Sequence, residues 1–179
     1  DLFCLLGAVG GAMVLPDAEQ ARDPGHWARL IHDHQVTLWN SVPMFMQMLV
    51  AHIQGRPDCE QQIRSLRWAI LSGDFIPLDL PTRLAALHPD LMLLSGGGAT
   101  ETTIWDICYP ITRVDPSWKS IPYGRPMRHA TYHILDEELR ERPDWVVGEI
   151  HMGGVGVARG YFRDELRTRE RFVHHPDTG

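Results

Sequence analysis

Cysteine is scarce in this sequence. There are three in 179 residues, at positions 4, 59 and 108, with no C-x-x-C pair and an odd total, so neither a disulfide framework nor a zinc knuckle is expected. Cys4, Cys59 and Cys108 read as reduced, buried thiols of a cytoplasmic protein. Long apolar runs are also missing. No stretch approaches the roughly 18 residues that a membrane span needs, and the opening DLFCLLGAVGGAMVL lacks the basic segment of a signal peptide. Positive charge is not in excess either: Lys and Arg number 17 against 23 Asp and Glu, a formal net charge of −6. The basic residues are scattered rather than striped, which argues against nucleic acid or a membrane surface as partner. Small molecules are the expected ligands.

What is present is an ordinary globular composition, 44% hydrophobic and 22% charged, sufficient for a buried core and for one domain or two small lobes. Asp1 leads directly into Leu2, Phe3, Leu5 and Leu6 at helical spacing without a methionine, and the final HHPDTG is equally abrupt. A piece of a longer polypeptide is expected.

The spacing predicts a helix over 1–9, a break at Gly10 and Gly11, and a short apolar strand over 12–16. Asp23 followed by Pro24 is a cap and first-turn signal, opening a helix as far as Gln35. A strand over 36–42, a helix from Pro43 through Ile53, a strand over 66–72, a helix over 78–87 and a strand over 91–95 follow. Strands alternating with helices of this length predict parallel β-α-β units with right-handed crossovers. After residue 112 the chain turns to VDPSWKSIPYGRP, strands over 131–136 and 146–152, and a charged helix over 164–172. The expected fold class is therefore α/β: a layered parallel lobe over 1–112, followed by a smaller β-rich lobe over 113–179. No internal repeat or low-complexity tract is present.

The segment LSGGGATETTIW, residues 94–105, stands where the third strand should end, and ligands collect beyond the carboxyl ends of strands in open parallel sheets. Glycines let backbone approach a flat base or a phosphate without interference from Cβ, and an adjacent hydroxyl and carboxylate can hold phosphate oxygens and Mg²⁺. The segment lacks the G-K-[ST] ending of a phosphate loop and the spacing of a dinucleotide fingerprint. By itself it reads first as a glycine-rich turn between strands.

Several stretches together say more: NSVP (40–43), LSGDFIPLDLP (71–81), GGATE (97–101), YGRP (123–126) and GEIHMGGVGVARGYF (148–162). In this order they resemble the adenylation domains of nonribosomal peptide synthetases, members of the adenylate-forming superfamily that includes acyl-CoA ligases and luciferases. GGATE is similar to their GPTE-type motif, and GEIHMGGVGVARGY to their GELxIxGxGxARGY motif. The resemblance implies the N-terminal core of such a domain. It implies that Thr100 contacts ATP phosphate, that Glu101 binds Mg²⁺, and that Gly96, Gly97, Gly98 and Ala99 line the nucleotide and substrate floor. The family usually has an aromatic residue where Gly97 stands and proline at Ala99. Glycine variants of this kind are similar to the branch that follows heterocyclisation domains.

The side-chain pocket implied by the resemblance comprises Asn40, Ile70, Ser72, Gly96, Ile104 and Trp105, a set similar to that of cysteine-activating domains. Trp105 would limit the pocket, while Asn40 and Ser72 would meet a short thiol or hydroxyl side chain. Gly96 leaves room for one or a few extra carbons, so cysteine ranks first, with serine and the α-methyl analogues of both next. One methylene is discriminated by only about 1–3 kcal/mol in a hydrophobic pocket. Without the resemblance, Ile70 and Ile104 read as core and Trp105 as packing. Asn40 is the sharper signal, since a polar group in an apolar strand needs a partner or a ligand.

The implied reaction joins an amino acid's carboxylate to the α-phosphate of ATP, releases pyrophosphate, and passes the acyl group to a phosphopantetheine thiol on a carrier domain. The peptidyl carrier protein and a heterocyclisation or condensation domain of the same synthetase are the implied partners. Four family features are absent from these residues: the upstream phosphate loop, the aspartate that pairs with the substrate ammonium, the ribose-binding aspartate and the mobile C-terminal lysine. The piece alone is expected to be inactive. An acyl- or aryl-CoA ligase is the nearest rival, and Asn40 and Ser72 argue against its apolar pocket. A non-catalytic nucleotide-binding scaffold is another, disfavoured by intact Thr100 and Glu101. Among the ten histidines, His32 and His34 point to different faces of one helix, and neither they nor His174 and His175 are expected to hold a metal. No cysteine sits in a nucleophile context.

Overall fold

The structure, a computed structural model, describes residues 10–175. The helix expected over 1–9, with Cys4, lies outside the described residues. The chain divides into two compact units, one made of Asp1–Ser95 and Pro110–Pro122, the other of Gly96–Tyr109 and Tyr123–Gly179.

In the first unit, helix α1 (Pro24–Asp33) starts as its sequence dictates. Pro24 sits at the first turn, where no N–H is needed, and the Asp23 carboxylate accepts from Gly25 N–H at 2.8 Å. Strand β1 (Leu38–Ser41) leads into α2 (Pro43–Ile53), again opened by proline. A short helix, α3 (Pro57–Glu60), precedes β2 (Trp68–Ser72), which is followed by α4 (Leu80–Leu87) and β3 (Met92–Gly97). β1 and β2 pair in parallel, Leu38 opposite Trp68 through Ser41 opposite Leu71, and β3 lies on the other side of β2. This is the parallel β-α-β plan that the alternation of elements predicts.

Met46, Leu49, Val50 and Ile53 recur along α2 at the spacing of one helical face, and all four are buried with Leu80, Leu84 and Leu87 of α4 and Ala69 and Leu71 of β2. Each large aliphatic side chain removed from water in this way contributes about 1.5–3 kcal/mol. His88 Nε2 bonds the Leu66 carbonyl at 2.9 Å, while its buried Nδ1 has no partner among the described residues, and the Ser65 hydroxyl donates to the Val36 carbonyl at 2.9 Å.

The second unit contains β4 (Ile107–Pro110), whose last residue belongs to the first, and β5 (Arg125–Pro126), paired antiparallel with Ile107 opposite Pro126. The hairpin of β6 (Ala130–Leu135) and β7 (Glu149–Gly154) is antiparallel, with His133 opposite His151. Helix α5 (Glu165–Arg171) closes it, its first turn capped by the Asp164 carboxylate, which accepts from Arg167 N–H at 3.0 Å.

Three expectations need correction. Residues 12–16 form no strand: Leu15 is 70% exposed, and the stretch has no ladder partner, without which apolar composition does not make a strand. β7 begins at Glu149 rather than 146, because Pro143 to Gly148 turn the chain, with Trp145 at φ 70°. β5 falls in what reads as turn, since a strand of two residues carries no alternation to detect. The division also does not follow a single cut at 112. Gly96–Tyr109 goes with the later residues because Gly98 bonds Tyr123 and Asp106 bonds Tyr132.

Candidate active site

The glycine segment begins as the last two residues of β3 and leaves them buried. A Cβ at Gly97 would stand 2.1 Å from the ring of Tyr123, and one at Gly98, whose φ is 146°, would stand 2.6 Å from Asp106 Oδ1. At these two positions the missing side chains therefore make room for the protein's own groups. Tyr123 fills the place that a side chain at 97 would take, and its hydroxyl accepts from Gly98 N–H at 2.9 Å. Gly98 and Ala99 are half-buried, and Thr100 is exposed.

From Ala99 the chain winds into a 3-10 turn, Thr100–Thr102, with the Ala99 carbonyl accepting from Thr102 N–H at 3.1 Å and Ile104 N–H at 2.9 Å. Thr103 and Ile104 then adopt φ 72° and 69°. β-Branched residues avoid this region, and such backbone costs about 1–3 kcal/mol per residue, so surrounding bonds must hold it. One is the Thr103 hydroxyl, which donates to the Gly156 carbonyl at 2.7 Å. Ile104 is 59% exposed and Trp105 half-buried, so Ile104 is not the core residue that its composition alone implies.

Glu101 projects from this turn and is gripped by the segment Ala158–Tyr161. Tyr161 Oη donates to Glu101 Oε1 at 2.6 Å, and Ala158 N–H donates to the Glu101 carbonyl at 2.7 Å. Tyr161 is itself fixed: its N–H donates to the Thr168 hydroxyl at 2.9 Å, and the Arg167 guanidinium lies 5.1 Å from its ring centre. The Tyr161 hydrogen bond is the main reason that the Glu101 carboxyl lies below its ordinary range, aided by its own backbone N–H and by Arg167. The same bond pushes the Tyr161 phenol up. The product is a held, ionised carboxylate beside the exposed hydroxyl of Thr100. Hard oxygen donors of this kind suit Mg²⁺.

Tyr161 and Asp106 were not singled out by sequence reasoning. Tyr161 was visible only as the last letter of ARGY. Asp106 is buried, with Oδ1 bonded by the hydroxyl of Tyr132 and Oδ2 without a partner among the described residues. Burial, then the bond to Asp106, pushes the Tyr132 phenol far above its usual value.

Of the other sequence-predicted residues, Asn40, Ile70 and Ser72 lie in the first unit. Asn40 stands opposite Ile70 in the parallel register, and Ser72 follows two residues later, so the three share one sheet face. All three are half-buried, whereas Ala69 and Leu71, pointing the other way, are in the core. Gly96, Ile104 and Trp105 belong to the second unit. Cys59 and Cys108 are half-buried free thiols, not the fully buried ones expected. His32 and His34 are exposed near the end of α1. His175 instead joins a different group, with His133 and Glu141, whose donor atoms lie within 4.8 Å of one another; His133 Nδ1 and Glu141 Oε1 are already hydrogen-bonded at 2.5 Å. Among the described residues, no helix is long and apolar enough to cross a membrane.

Residues 2–162 match the AMP-binding enzyme family. Over 170 residues the chain is 48% identical to pyochelin synthetase PchF of Pseudomonas aeruginosa, covering 95% of this chain and 9% of that protein. The nonribosomal peptide synthetase FmoA3 (S1046A) matches the fold with a TM-score of 0.89 at 44% identity, over 95% of this chain and 18% of that one. FmoA3 has also been solved with AMPPNP and with α-methyl-L-serine-AMP. PA1221, a nonribosomal peptide synthetase protein containing adenylation and PCP domains, matches with a TM-score of 0.74 at 31% identity, over 90% of this chain and 27% of that one. The chain thus spans only a small part of each relative. By its motifs, its α/β fold and these likenesses, the chain belongs to the AMP-binding enzyme family and is similar throughout to adenylation domains of nonribosomal peptide synthetases.

Proposed function

We propose that this chain, within its complete adenylation domain, activates a small polar amino acid as the aminoacyl adenylate. The amino acid's carboxylate oxygen bonds to the α-phosphorus of ATP, and the bond to the pyrophosphate oxygen breaks. A phosphopantetheine thiol on a carrier domain of the same synthetase then takes the acyl group and AMP leaves. The observation that carries this reading is the Glu101 carboxylate, held ionised by Tyr161 at 2.6 Å, next to the exposed Thr100 at the carboxyl end of β3.

Glu101 would hold Mg²⁺, which when bound offsets the negative charge of the phosphates and of the departing pyrophosphate. Thr100 would donate to a phosphate oxygen and orient it. Gly96, Gly97, Gly98 and Ala99 would shape the floor; the first two are buried and the latter two half-buried. Asn40, Ile70 and Ser72 share one face of β1 and β2; these and Gly96, Ile104 and Trp105 are the residues proposed to select the substrate side chain. Cysteine ranks first, then serine and the α-methyl forms, a choice supported by the polar pair Asn40 and Ser72; FmoA3, a similar protein, has been solved with α-methyl-L-serine-AMP. A heterocyclisation or condensation domain as neighbour and a cytoplasmic location complete the proposal. An acyl- or aryl-CoA ligase remains the second reading within the family, favoured only by the exposed apolar side chain of Ile104.

Pyrophosphate exchange by the complete adenylation domain against cysteine, serine, their α-methyl forms, leucine and phenylalanine tests the proposal. Cysteine or one of the other small polar substrates should dominate, and the 179-residue chain alone should give no exchange. A preference for leucine or phenylalanine would overturn the pocket assignment.

A further inference from the structure

Tyr123 lies outside every role assigned so far, yet three observations converge on it. Its phenol occupies the space beside Gly97, where an added Cβ would stand 2.1 Å from the ring. Its hydroxyl is anchored by Gly98 N–H at 2.9 Å. The residue nevertheless remains 46% exposed. An aromatic ring fixed at its hydroxyl and supported along one edge by bare backbone, with much of its surface open, is already ordered before any ligand arrives, so little is lost when a flat group is laid on it. It stands against Gly97, the last residue of β3, and Gly98, just before Thr100 and Glu101, the residues proposed above to meet the phosphates and their cation.

We infer that Tyr123 is the aromatic surface on which the nucleotide base rests, with Gly97 kept side-chain-free so that the ring can occupy that position. This rests on the nucleotide reading above and deepens it, by assigning the base to a side chain from the YGRP segment rather than to the glycine segment itself. A tyrosine that merely plugs a gap would need neither an open face nor a fixed hydroxyl. Gly98, Thr100 and Glu101 would then deal with the rest of the ligand, and the ring with the base alone.

The complete adenylation domain and three variants decide the matter: Tyr123→Phe, Tyr123→Leu, and the exchange Gly97→Tyr with Tyr123→Leu. Each is titrated calorimetrically with AMPPNP and, separately, with inorganic tripolyphosphate, both with Mg²⁺. Removing base–aromatic stacking should weaken AMPPNP binding about 5- to 150-fold in Tyr123→Leu, with tripolyphosphate affinity unchanged. Tyr123→Phe, which keeps the ring and loses its anchor, should fall between the parent and Tyr123→Leu, and the exchange variant should recover affinity by returning a ring to the same space from the other residue. If Tyr123→Leu binds AMPPNP like the parent, or loses both ligands equally, the inference is wrong while the nucleotide reading stands. If Tyr123→Leu fails to fold, an exchange variant that folds and binds AMPPNP no better than tripolyphosphate overturns it. A parent domain that binds tripolyphosphate but not AMPPNP would sink this inference, and one that binds neither would sink the proposed function with it.

Discussion

The two units of this chain are built by different means. Among the described residues, every buried apolar residue except Ile107 and Leu135 belongs to the first unit, whereas every non-glycine residue with positive φ except Gln35 belongs to the second. The first is held by interlocked aliphatic side chains on α2, α4 and β2. In the second, strained turns are tied by single polar bonds: Tyr161 to Glu101, Thr103 to Gly156, Tyr132 to Asp106. The difference teaches where function can reside. Side chains that pack are interchangeable within limits of volume, but a carboxylate aimed by one phenol is not.

The comparison breaks most visibly through the first unit. Leu49→Ala in α2, a fully buried site, should cost about 2–5 kcal/mol in denaturant unfolding. At temperatures where the variant stays folded, its nucleotide affinity should be preserved. Glu101→Gln should do the opposite: a much smaller loss in unfolding, and the exchange rate in the complete domain down about a hundredfold or more, the scale for losing one group that stabilises developing charge.

A subtler change sharpens the contrast. Tyr161→Phe removes the largest cause of the low Glu101 pKa, so activity should fall about tenfold, as for a lost hydrogen bond to a charged group. The pH profile carries the sign. A depressed carboxyl contributes fully above its ordinary value of 4.5 and loses that contribution as pH falls through the lower folded value. Without Tyr161 the acid limb should therefore move upward, towards the ordinary value. Replacing Arg167, a lesser cause, should move the limb in the same direction by less. The smallest effect is expected at Asp23→Ala, which removes the α1 cap at a cost of about 1 kcal/mol in thermal unfolding and leaves the profile alone.

Legibility in the sequence follows the same divide. The first unit could be read because its devices are local: Asp23-Pro24 and Val42-Pro43 mark helix starts, and apolar strands alternate with helices along the chain. The second could not, because its determinants are pairs distant in sequence. Nothing in GGATE says that Tyr123 will fill the space over Gly97, and nothing in ARGY says that its tyrosine will donate to Glu101. Residues 12–16 mislead for a related reason, since a strand exists only with its neighbour. The resemblance to adenylation domains points to Thr100 and Glu101; it assigns no role to Tyr161, Asp106 or Tyr123, where this chain's own contacts decide.

We propose the Glu101 carboxylate as the cation's anchor beside the nucleotide. Calorimetry of AMPPNP binding to the complete adenylation domain and to its Glu101→Gln variant, each with and without Mg²⁺, tests it directly. Magnesium should strengthen binding to the parent and leave the variant nearly unaffected; an equal gain in both would contradict the claim.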